Sequence, residues 1–250
     1  MALAVELDAT RLHFAEQPNK TFADAIELSL FALDERGKAH GGNFYHFNLA
    51  LRPDTYARVR ESIVRMNPRI TLPPGRYQLR IGVRESGAGE MGSVFHDLVV
   101  PDYTDRGLAM SGLLLTSESA RQQFTAQPDS EPPANALPAP PTARRTFGRS
   151  DVLTAFAEIY DTTSGRTPQR LEVVTTLTGE DGVAAYSSRE SLDAASTASG
   201  AKGARIPLVR QIPLKDVRPG RYTLRVEARA LGNGARPAVR ETGLSVEPEL

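Results

Sequence analysis

One stretch of sequence decides the fold, and it occurs twice: Pro74-Gly-Arg-Tyr-Gln-Leu-Arg-Ile-Gly-Val-Arg84 returns as Pro219-Gly-Arg-Tyr-Thr-Leu-Arg-Val-Glu-Ala-Arg229. In each copy a Pro-Gly corner precedes a run in which apolar and polar residues alternate, the pattern of a half-buried β-strand. A glycine-containing turn and a second alternating run follow each copy, at residues 93–100 and 238–246. The repeat therefore predicts two domains of similar topology, each containing this hairpin.

The same alternation recurs along the chain. Strands are predicted at residues 26–33, 44–51, 76–84, 93–100, 108–115, 153–160, 171–177, 206–214, 221–229 and 238–246. Clusters of Gly, Pro, Asn and Asp between them predict tight turns. Short strands at this spacing, with few helical patterns, predict an all-β chain of two tandem antiparallel β-sandwich domains of immunoglobulin-like or fibronectin III-like type. Residues 54–66 fit either a hairpin or a short helix.

The expected domains are residues 1–103 and 104–250, because Val99-Val-Pro101-Asp102 ends a strand. Six of the fourteen residues at 128–141 are proline, which favours extended backbone and excludes a sheet interior. We expect a Pro-rich loop or linker at residues 126–146, and favour a loop because the strand at 108–115 then belongs to the second domain. The Ala-, Ser- and Gly-rich residues 193–203 predict a mobile loop.

The repeated hairpin contains two sets of candidate residues. A tyrosine directly after a Pro-Gly corner is typical of the structural tyrosine corner of β-sandwiches. The expected corner residues are Pro74, Gly75, Tyr77, Pro219, Gly220 and Tyr222. Alternation places three arginines of each copy on the strand face opposite the tyrosine. These are the first ladder, Arg76, Arg80 and Arg84, and the second ladder, Arg221, Arg225 and Arg229.

The arginine ladders have two interpretations. Guanidinium groups bind carboxylates and phosphates, so each ladder is a possible interaction surface. Alternatively, the arginines pair with acidic residues on neighbouring strands and cover apolar surface with their stems. Thirty acidic residues balance thirty basic ones, which favours the second interpretation.

Composition excludes several classes of function. The 250 residues contain no cysteine, which excludes disulfide frameworks, thiolate metal sites and cysteine nucleophiles. Zero net charge argues against generic binding to nucleic acid or anionic membranes. The four scattered histidines have no metal-binding spacing, and no nucleophile elbow, phosphate-binding loop or dinucleotide motif occurs. We therefore expect no catalytic residue, no cofactor and no metal site, so the chain is not predicted to be an enzyme.

A string of motifs resembles a bacterial family. Leu72-Pro-Pro-Gly-Arg-Tyr-Gln-Leu-Arg-Ile-Gly-Val-Arg84 is followed by Gly92-Ser93, Val99-Val-Pro101-Asp102 and Leu108-Ala-Met-Ser-Gly-Leu113. In content and order these motifs are similar to the region C-terminal to the von Willebrand factor A domain in VWFA-related proteins of Acidobacteria and similar bacteria. The resemblance covers most of residues 25–115 and extends weakly through residues 147–246. It implies two β-sandwich modules from a larger, exported protein.

The A domain itself is missing from the sequence. Its metal-dependent adhesion motif, D-x-S-x-S, does not occur. The resemblance therefore implies no metal-dependent adhesion, and it supplies no active-site residues.

These observations predict a non-catalytic spacer and protein-interaction module whose ligand is a protein partner or an upstream domain of the parent protein. The resemblance implies an extracellular, periplasmic or cell-surface location. The alternative is a carbohydrate-binding module for cell-wall or extracellular glycan, with Phe44, Tyr45 and Phe47 as its aromatic group. The N-terminus lacks the basic region of a signal peptide, and no apolar run approaches the ~20 residues of a membrane span. We expect no signal peptide in this chain and no membrane insertion.

Overall fold

The structure is a computed structural model that describes residues 1–103, 107–126, 140–161, 170–193, 199–200, 203–231 and 236–248. It confirms the predicted fold class, because the described chain is mostly β-strand in antiparallel sheets. Most of the Pro-rich segment at 126–146 and most of residues 193–203 lie outside the described residues. No helix among the described residues is long and apolar enough to cross a membrane.

The elements up to and including the first copy of the repeated hairpin, which is β6 and β7, are β1 Val5–Asp8, a 3-10 turn Ala9–Arg11, β2 Ala15–Glu16, β3 Phe22–Leu33, β4 Ala39–Leu51, α1 Pro53–Val59, β5 Ile63–Met66, β6 Gly75–Glu85 and β7 Met91–Val100. The elements after it are β8 Leu108–Met110, β9 Leu114–Ser117, α2 Glu118–Arg121, β10 Thr125–Ala126, β11 Thr146–Gly148, β12 Val152–Asp161, β13 Arg170–Gly179, β14 Ala184–Asp193, β15 Ser199–Gly200, β16 Gly203–Pro213, β17 Gly220–Ala230 and β18 Ala238–Glu247.

The chain divides into two compact units that are not contiguous in sequence. Unit 1 contains Met1–Asp102 and Gln122–Ala143, and unit 2 contains Tyr103–Arg121 and Arg144–Leu250. The chain therefore passes between the units three times. The expected domains, 1–103 and 104–250, differ from this division because residues 122–143 are grouped with unit 1.

Unit 1 packs two sheets around one core. Its larger sheet has the order β4-β3-β6-β7, with β2 also paired to β3, and its smaller sheet has the order β1-β5-β10. From Ile26 in β3 and from Tyr45 in β4, every second residue is buried, as the period-two pattern predicts. The core includes Ile26, Leu28, Leu30, Tyr45 and Phe47 from the larger sheet, together with Val64 and Met66 from the smaller one.

A buried arginine attaches residues after Arg121 to unit 1. The Arg65 side chain on β5 is fully buried and bonds to the side-chain oxygen of Gln123, with Glu6 at 3.4 Å. The Thr142 hydroxyl donates to the same carboxylate at 2.6 Å, and the Arg65 backbone N–H donates to the Phe124 carbonyl oxygen at 3.0 Å. The ion pair thus joins β1, β5 and the segment that contains β10.

Unit 2 is a sandwich of two sheets with the orders β11-β18-β17-β13-β14 and β15-β16-β12-β8. Strand β9 also pairs with β12, on the same sheet as β8. Side chains from both sheets form its core, including Ile159, Leu171, Leu177, Val226 and Leu244. Strand β10 runs parallel to β5 and β11 runs parallel to β18, whereas the other described pairs are antiparallel.

One predicted strand is divided in the structure, one open segment is resolved, and one long strand was missed. The single strand predicted at 108–115 is two strands, β8 and β9, because Ser111 bonds to Glu158 through both its backbone N–H and its hydroxyl and interrupts the ladder. In residues 54–66 the short-helix alternative holds for the first part, which belongs to α1, and the strand β5 follows it. Strand β14, with its mixed serine and charged sequence, was not predicted.

Candidate functional site

The two Pro-Gly corners have the hydrogen bond that defines a tyrosine corner. The Tyr77 hydroxyl donates to the Pro73 carbonyl oxygen at 3.0 Å, and the Tyr222 hydroxyl donates to the Arg218 carbonyl oxygen at 2.7 Å. In both cases the acceptor lies four residues before the tyrosine. Pro74 and Pro219 are exposed at these corners, and Gly75 and Gly220 begin the outgoing strands.

Acidic side chains neutralise the second ladder. Its ion pairs are Arg221–Glu180, Arg225–Glu227, Arg225–Glu241 and Arg229–Glu227. Glu241 lies directly opposite Arg225 on β18, and Glu227 stands between two arginines on β17. Hydrogen bonds from Arg225 and Arg229 lower the pKa of Glu227 despite its burial. The second ladder therefore follows the cross-strand interpretation.

The first ladder is neutralised at one end. Arg84 lies 3.5 Å from Glu27 on β3. Arg80 instead donates to the glutamine two residues before it, and its guanidinium carbon lies 5.6 Å from the centroid of the Phe95 ring. Within the described part of the chain, neither Arg76 nor Arg80 forms an ion pair with a carboxylate. Both side chains are exposed, so their charges face solvent.

Two positions explain the difference between the ladders. The first copy of the repeat has Gly82 where the second copy has Glu227. Across the hairpin, the middle arginine faces Phe95 in unit 1, whereas it faces Glu241 in unit 2. Unit 1 therefore lacks both carboxylates that neutralise the centre of the ladder in unit 2.

Gly82 also leaves a trough across the outer face of the larger sheet of unit 1, the face that carries the first ladder. Its neighbours in the sheet are Ser29 on β3 and Ser93 on β7, so three small residues line up across three strands. The trough has a volume of about 580 Å³. Other residues lining it are Glu27, Phe44, His46, Arg84 and Met91.

Exposed apolar side chains surround the first ladder. On the ladder face of β7, Met91 is 79% exposed, Val99 63% and Phe95 61%, and Phe44 on the same face of β4 is 69% exposed. Exposed apolar residues scattered singly are normal on protein surfaces, whereas large contiguous apolar patches are typical of interaction sites. Aromatic residues, methionine and arginine are also the residues enriched in protein–protein interfaces.

The aromatic group of the carbohydrate alternative does not form a platform. Tyr45 and Phe47 are buried in the core of unit 1, at 2% and 1% exposure, because strand alternation separates them from Phe44. The Tyr45 hydroxyl donates to the Arg69 carbonyl oxygen at 2.6 Å. Of these three aromatic residues, Phe44 alone reaches solvent.

A carboxyl pair in unit 1 holds a hairpin together. Glu85 is buried and accepts backbone hydrogen bonds from Gly87, Ala88 and Gly89 at 2.6, 2.7 and 3.1 Å. Burial opposes ionisation of Glu85, but these backbone donors and a hydrogen bond with the Asp24 side chain together lower its pKa. Burial, followed by the Glu85 charge, raises the pKa of neighbouring Asp24. The Glu85 carboxylate thus stabilises the turn between β6 and β7.

Each of three histidines lies close to one carboxylate. His40 Nε2 is 2.7 Å from Asp34, and this hydrogen bond lowers the pKa of Asp34. His46 is 4.0 Å from Glu27, and His13 is 3.7 Å from Glu85. Among the residues that the structure describes, no three His, Asp or Glu side chains form a group that holds a metal ion.

Comparisons with known proteins give distant structural similarity. No protein-family model matches the chain, and no curated protein matches it. A transglutaminase from red sea bream aligns with 98% of this chain and 29% of its own, at 11% identity and a TM-score of 0.28. Alpha-2-macroglobulin from E. coli aligns over 99% and 13%, at 13% identity and a TM-score of 0.28. A putative beta-galactosidase from Bacteroides fragilis aligns over 97% and 32%, at 10% identity and a TM-score of 0.35. The chain spans about a third or less of each of these proteins.

Proposed function

We propose that this chain is a non-catalytic spacer and protein-interaction module of a larger exported or cell-surface bacterial protein, in which unit 1 binds an acidic protein partner. The observation that carries the proposal is the difference between the two ladders. One hairpin sequence occurs twice, and carboxylates neutralise the centre of the ladder in unit 2 but not in unit 1. Unit 2 serves as the structural spacer.

The chemistry of the first ladder indicates the kind of partner. Arg76 and Arg80 offer planar groups of N–H donors that match carboxylate oxygens. Val99 and Phe95, which lie opposite them on β7, offer apolar surface that stabilises a complex when it is buried. A protein surface in which Asp or Glu alternates with apolar side chains fits both features. Because the whole chain has zero net charge, the attraction is local to this face.

The first test measures capture of envelope and secreted proteins from a bacterium that carries the chain. The double variant Arg76→Gln/Arg80→Gln removes the two unneutralised charges, and we expect it to lower capture at least about tenfold, the effect of losing roughly 1.4 kcal/mol. The control is Arg221→Gln/Arg225→Gln, which makes the same charge change at the matching positions of unit 2. We expect the control to capture as the wild type does, and equal losses in both variants would contradict the proposal.

A second test converts the first ladder into the second. Gly82→Glu places a carboxylate where unit 2 has Glu227, but a Cβ at this position would lie 2.8 Å from the Ser29 hydroxyl oxygen. The variant is therefore made together with Ser29→Ala, and Ser29→Ala alone is its control. We expect capture to be lost in the double variant and kept in the control. Unchanged capture by the double variant would show that free arginine charge does not determine binding.

The carbohydrate alternative keeps one supporting observation. Phe44 is exposed beside the trough, close to Glu27 and His46, so an apolar ring and hydrogen-bonding groups are adjacent. Insoluble cell-wall glycan is the parallel bait. Retention on glycan that falls with Phe44→Ala, without protein capture, would replace the protein partner with a sugar ligand.

A further inference from the structure

Strand β7 is an edge strand without the usual protection. Within the described residues it pairs with β6 alone, and this pairing has no interruption over its ten residues. Natural edge strands are protected by lysine, proline, bulges or short length, because their free N–H and C=O groups pair readily with another strand. Strand β7, Met-Gly-Ser-Val-Phe-His-Asp-Leu-Val-Val, has none of these features.

An edge strand of unit 2 provides the contrast. Strand β14 ends its sheet, and its pairing with β13 contains a register irregularity between Leu177 and Thr178. It also carries the charged residues Arg189 and Glu190 side by side. Strand β14 thus combines an irregularity with two adjacent charges, whereas β7 has no irregularity and a single carboxylate, Asp97.

We propose that β7 pairs antiparallel with β7 of a second copy of this chain, about a two-fold axis at Phe95. Such an isologous contact is the commonest symmetry of soluble oligomers. It would join the two larger sheets of unit 1 into one continuous sheet and would use the free backbone groups of both edges. This inference is independent of the proposed function, since it concerns the edge of the sheet and not the identity of a foreign partner.

The sequence of β7 selects this register. With the axis at Phe95, Met91 faces Val99 of the second copy, Ser93 faces Asp97, and Phe95 faces Phe95. On the ladder face, apolar residues thus meet apolar residues and the carboxylate meets a hydroxyl, while on the other face Val94 meets His96 and Gly92 meets Leu98. An axis at Val94 would place Met91 opposite Asp97, and an axis at His96 would place Phe95 opposite Asp97. The register centred on Phe95 is therefore the self-complementary one.

The first ladder fits the same arrangement. Arg80 faces Phe95 within one copy, with its guanidinium carbon 5.6 Å from the ring centroid. Across the axis this gives the row Arg80, Phe95, Phe95, Arg80. The attraction between a cation and an aromatic ring becomes stronger when water is removed from the pair, so the Arg80–Phe95 contact is retained in the dimer. The two arginines lie on the two β6 strands that flank the β7 pair, and both rings separate them.

Cysteine cross-linking tests the register, because the chain has no cysteine of its own. The single variants Ser93→Cys and Asp97→Cys are prepared separately and mixed in equal amounts under mild oxidation. Opposed residues of an antiparallel pair have Cα atoms about 4.5–5.5 Å apart, within the reach of a disulfide. We expect a disulfide-linked dimer in the mixture. Either variant alone should give little, because two identical positions would be about 13 Å apart.

Analytical ultracentrifugation of the full chain provides the second readout. We expect a concentration-dependent dimer, and we expect Phe95→Lys to raise its dissociation constant about tenfold or more by placing two like charges on the axis. Phe95 is exposed, so this variant should keep the wild-type circular dichroism spectrum. A wild-type chain that stays monomeric, or cross-linking that is equal in the mixture and in either variant alone, would overturn the inference.

Discussion

Gly75 and Gly220 occupy the same position in the two Pro-Gly corners, but their surroundings differ. Their φ angles are 159° at Gly75 and 156° at Gly220, so the backbone conformation is shared. A Cβ on Gly75 would lie 3.0 Å from the Tyr77 hydroxyl oxygen and 3.1 Å from the ring carbon that bears it. The nearest atom to a Cβ on Gly220 is a Tyr222 ring carbon at an ordinary 3.8 Å.

We predict that Gly75→Ala destabilises the protein more than Gly220→Ala does. The backbone strain is common to both variants, so the difference reports the contact with the tyrosine ring. We expect the free energy of unfolding to fall by about 1–3 kcal/mol more for Gly75→Ala, the usual cost of overpacking. Urea denaturation of both variants and the wild type measures it. Equal losses would mean that the Tyr77 ring moves aside without cost.

Residue types were predictable from the sequence, but their partners were not. Alternation placed the arginines of each ladder on one strand face and Tyr77 on the other. The sequence also contains Glu227 two residues after Arg225, where the first copy has Gly82. The second carboxylate depends on the register between β17 and β18, which brings Glu241 opposite Arg225. Register is set by pairing across the sheet, so a single strand does not reveal it.

At the element scale, Glu227 connects the arginines of β17 to one another. The folded chain lowers the pKa of this carboxyl below its usual value of 4.5. A lowered folded-state pKa contributes stability that is fully present above 4.5 and is lost as the pH falls through the folded-state pKa. The interactions of Glu227 with Arg225 and Arg229 on β17 should therefore weaken on acidification.

We predict that Glu227→Gln lowers the free energy of unfolding of the chain by about 1–3 kcal/mol near pH 7, as the loss of hydrogen bonds to a charged group does. The difference from the wild type should shrink as the pH falls below 4.5. Glu180→Gln is the control, since that side chain is 74% exposed and lies 4.0 Å from Arg221, and its effect should stay below about 0.5 kcal/mol. A pH-independent loss in Glu227→Gln would point to packing and not to charge.

Element boundaries were harder to predict than element type. The continuous apolar run around Leu113 suggested one strand, but the Ser111 hydroxyl accepts a hydrogen bond from the Glu158 N–H at 2.9 Å and divides it. Serine competes with backbone pairing in this way, and its pattern in the sequence does not show when it does so. Strand β14 was missed for a related reason, because both its faces carry polar residues and no apolar alternation marks it.

At the scale of the whole molecule, the repeat predicted two units but not their exchange of segments. Strands β8 and β9 pair with β12 in unit 2, and β10 then pairs with β5 in unit 1. Arg65 holds the segment that contains β10 to unit 1. Its burial is unusual for an arginine and is compensated by Glu6 and Gln123. Local pattern carries no information about such long-range partners.

The passage of the chain between the units has a consequence for cleavage. A break after Asp102 would leave β10, Gln123 and Thr142 on the other polypeptide, although they complete unit 1. We predict that co-expressed fragments 1–102 and 103–250 purify together as a complementing pair, whereas fragment 1–102 alone is unstable because Arg65 is left without Gln123. Stable, folded 1–102 would contradict this. A nicked molecule should thus remain one particle, so a protease acting at this site would cut the chain without releasing either piece.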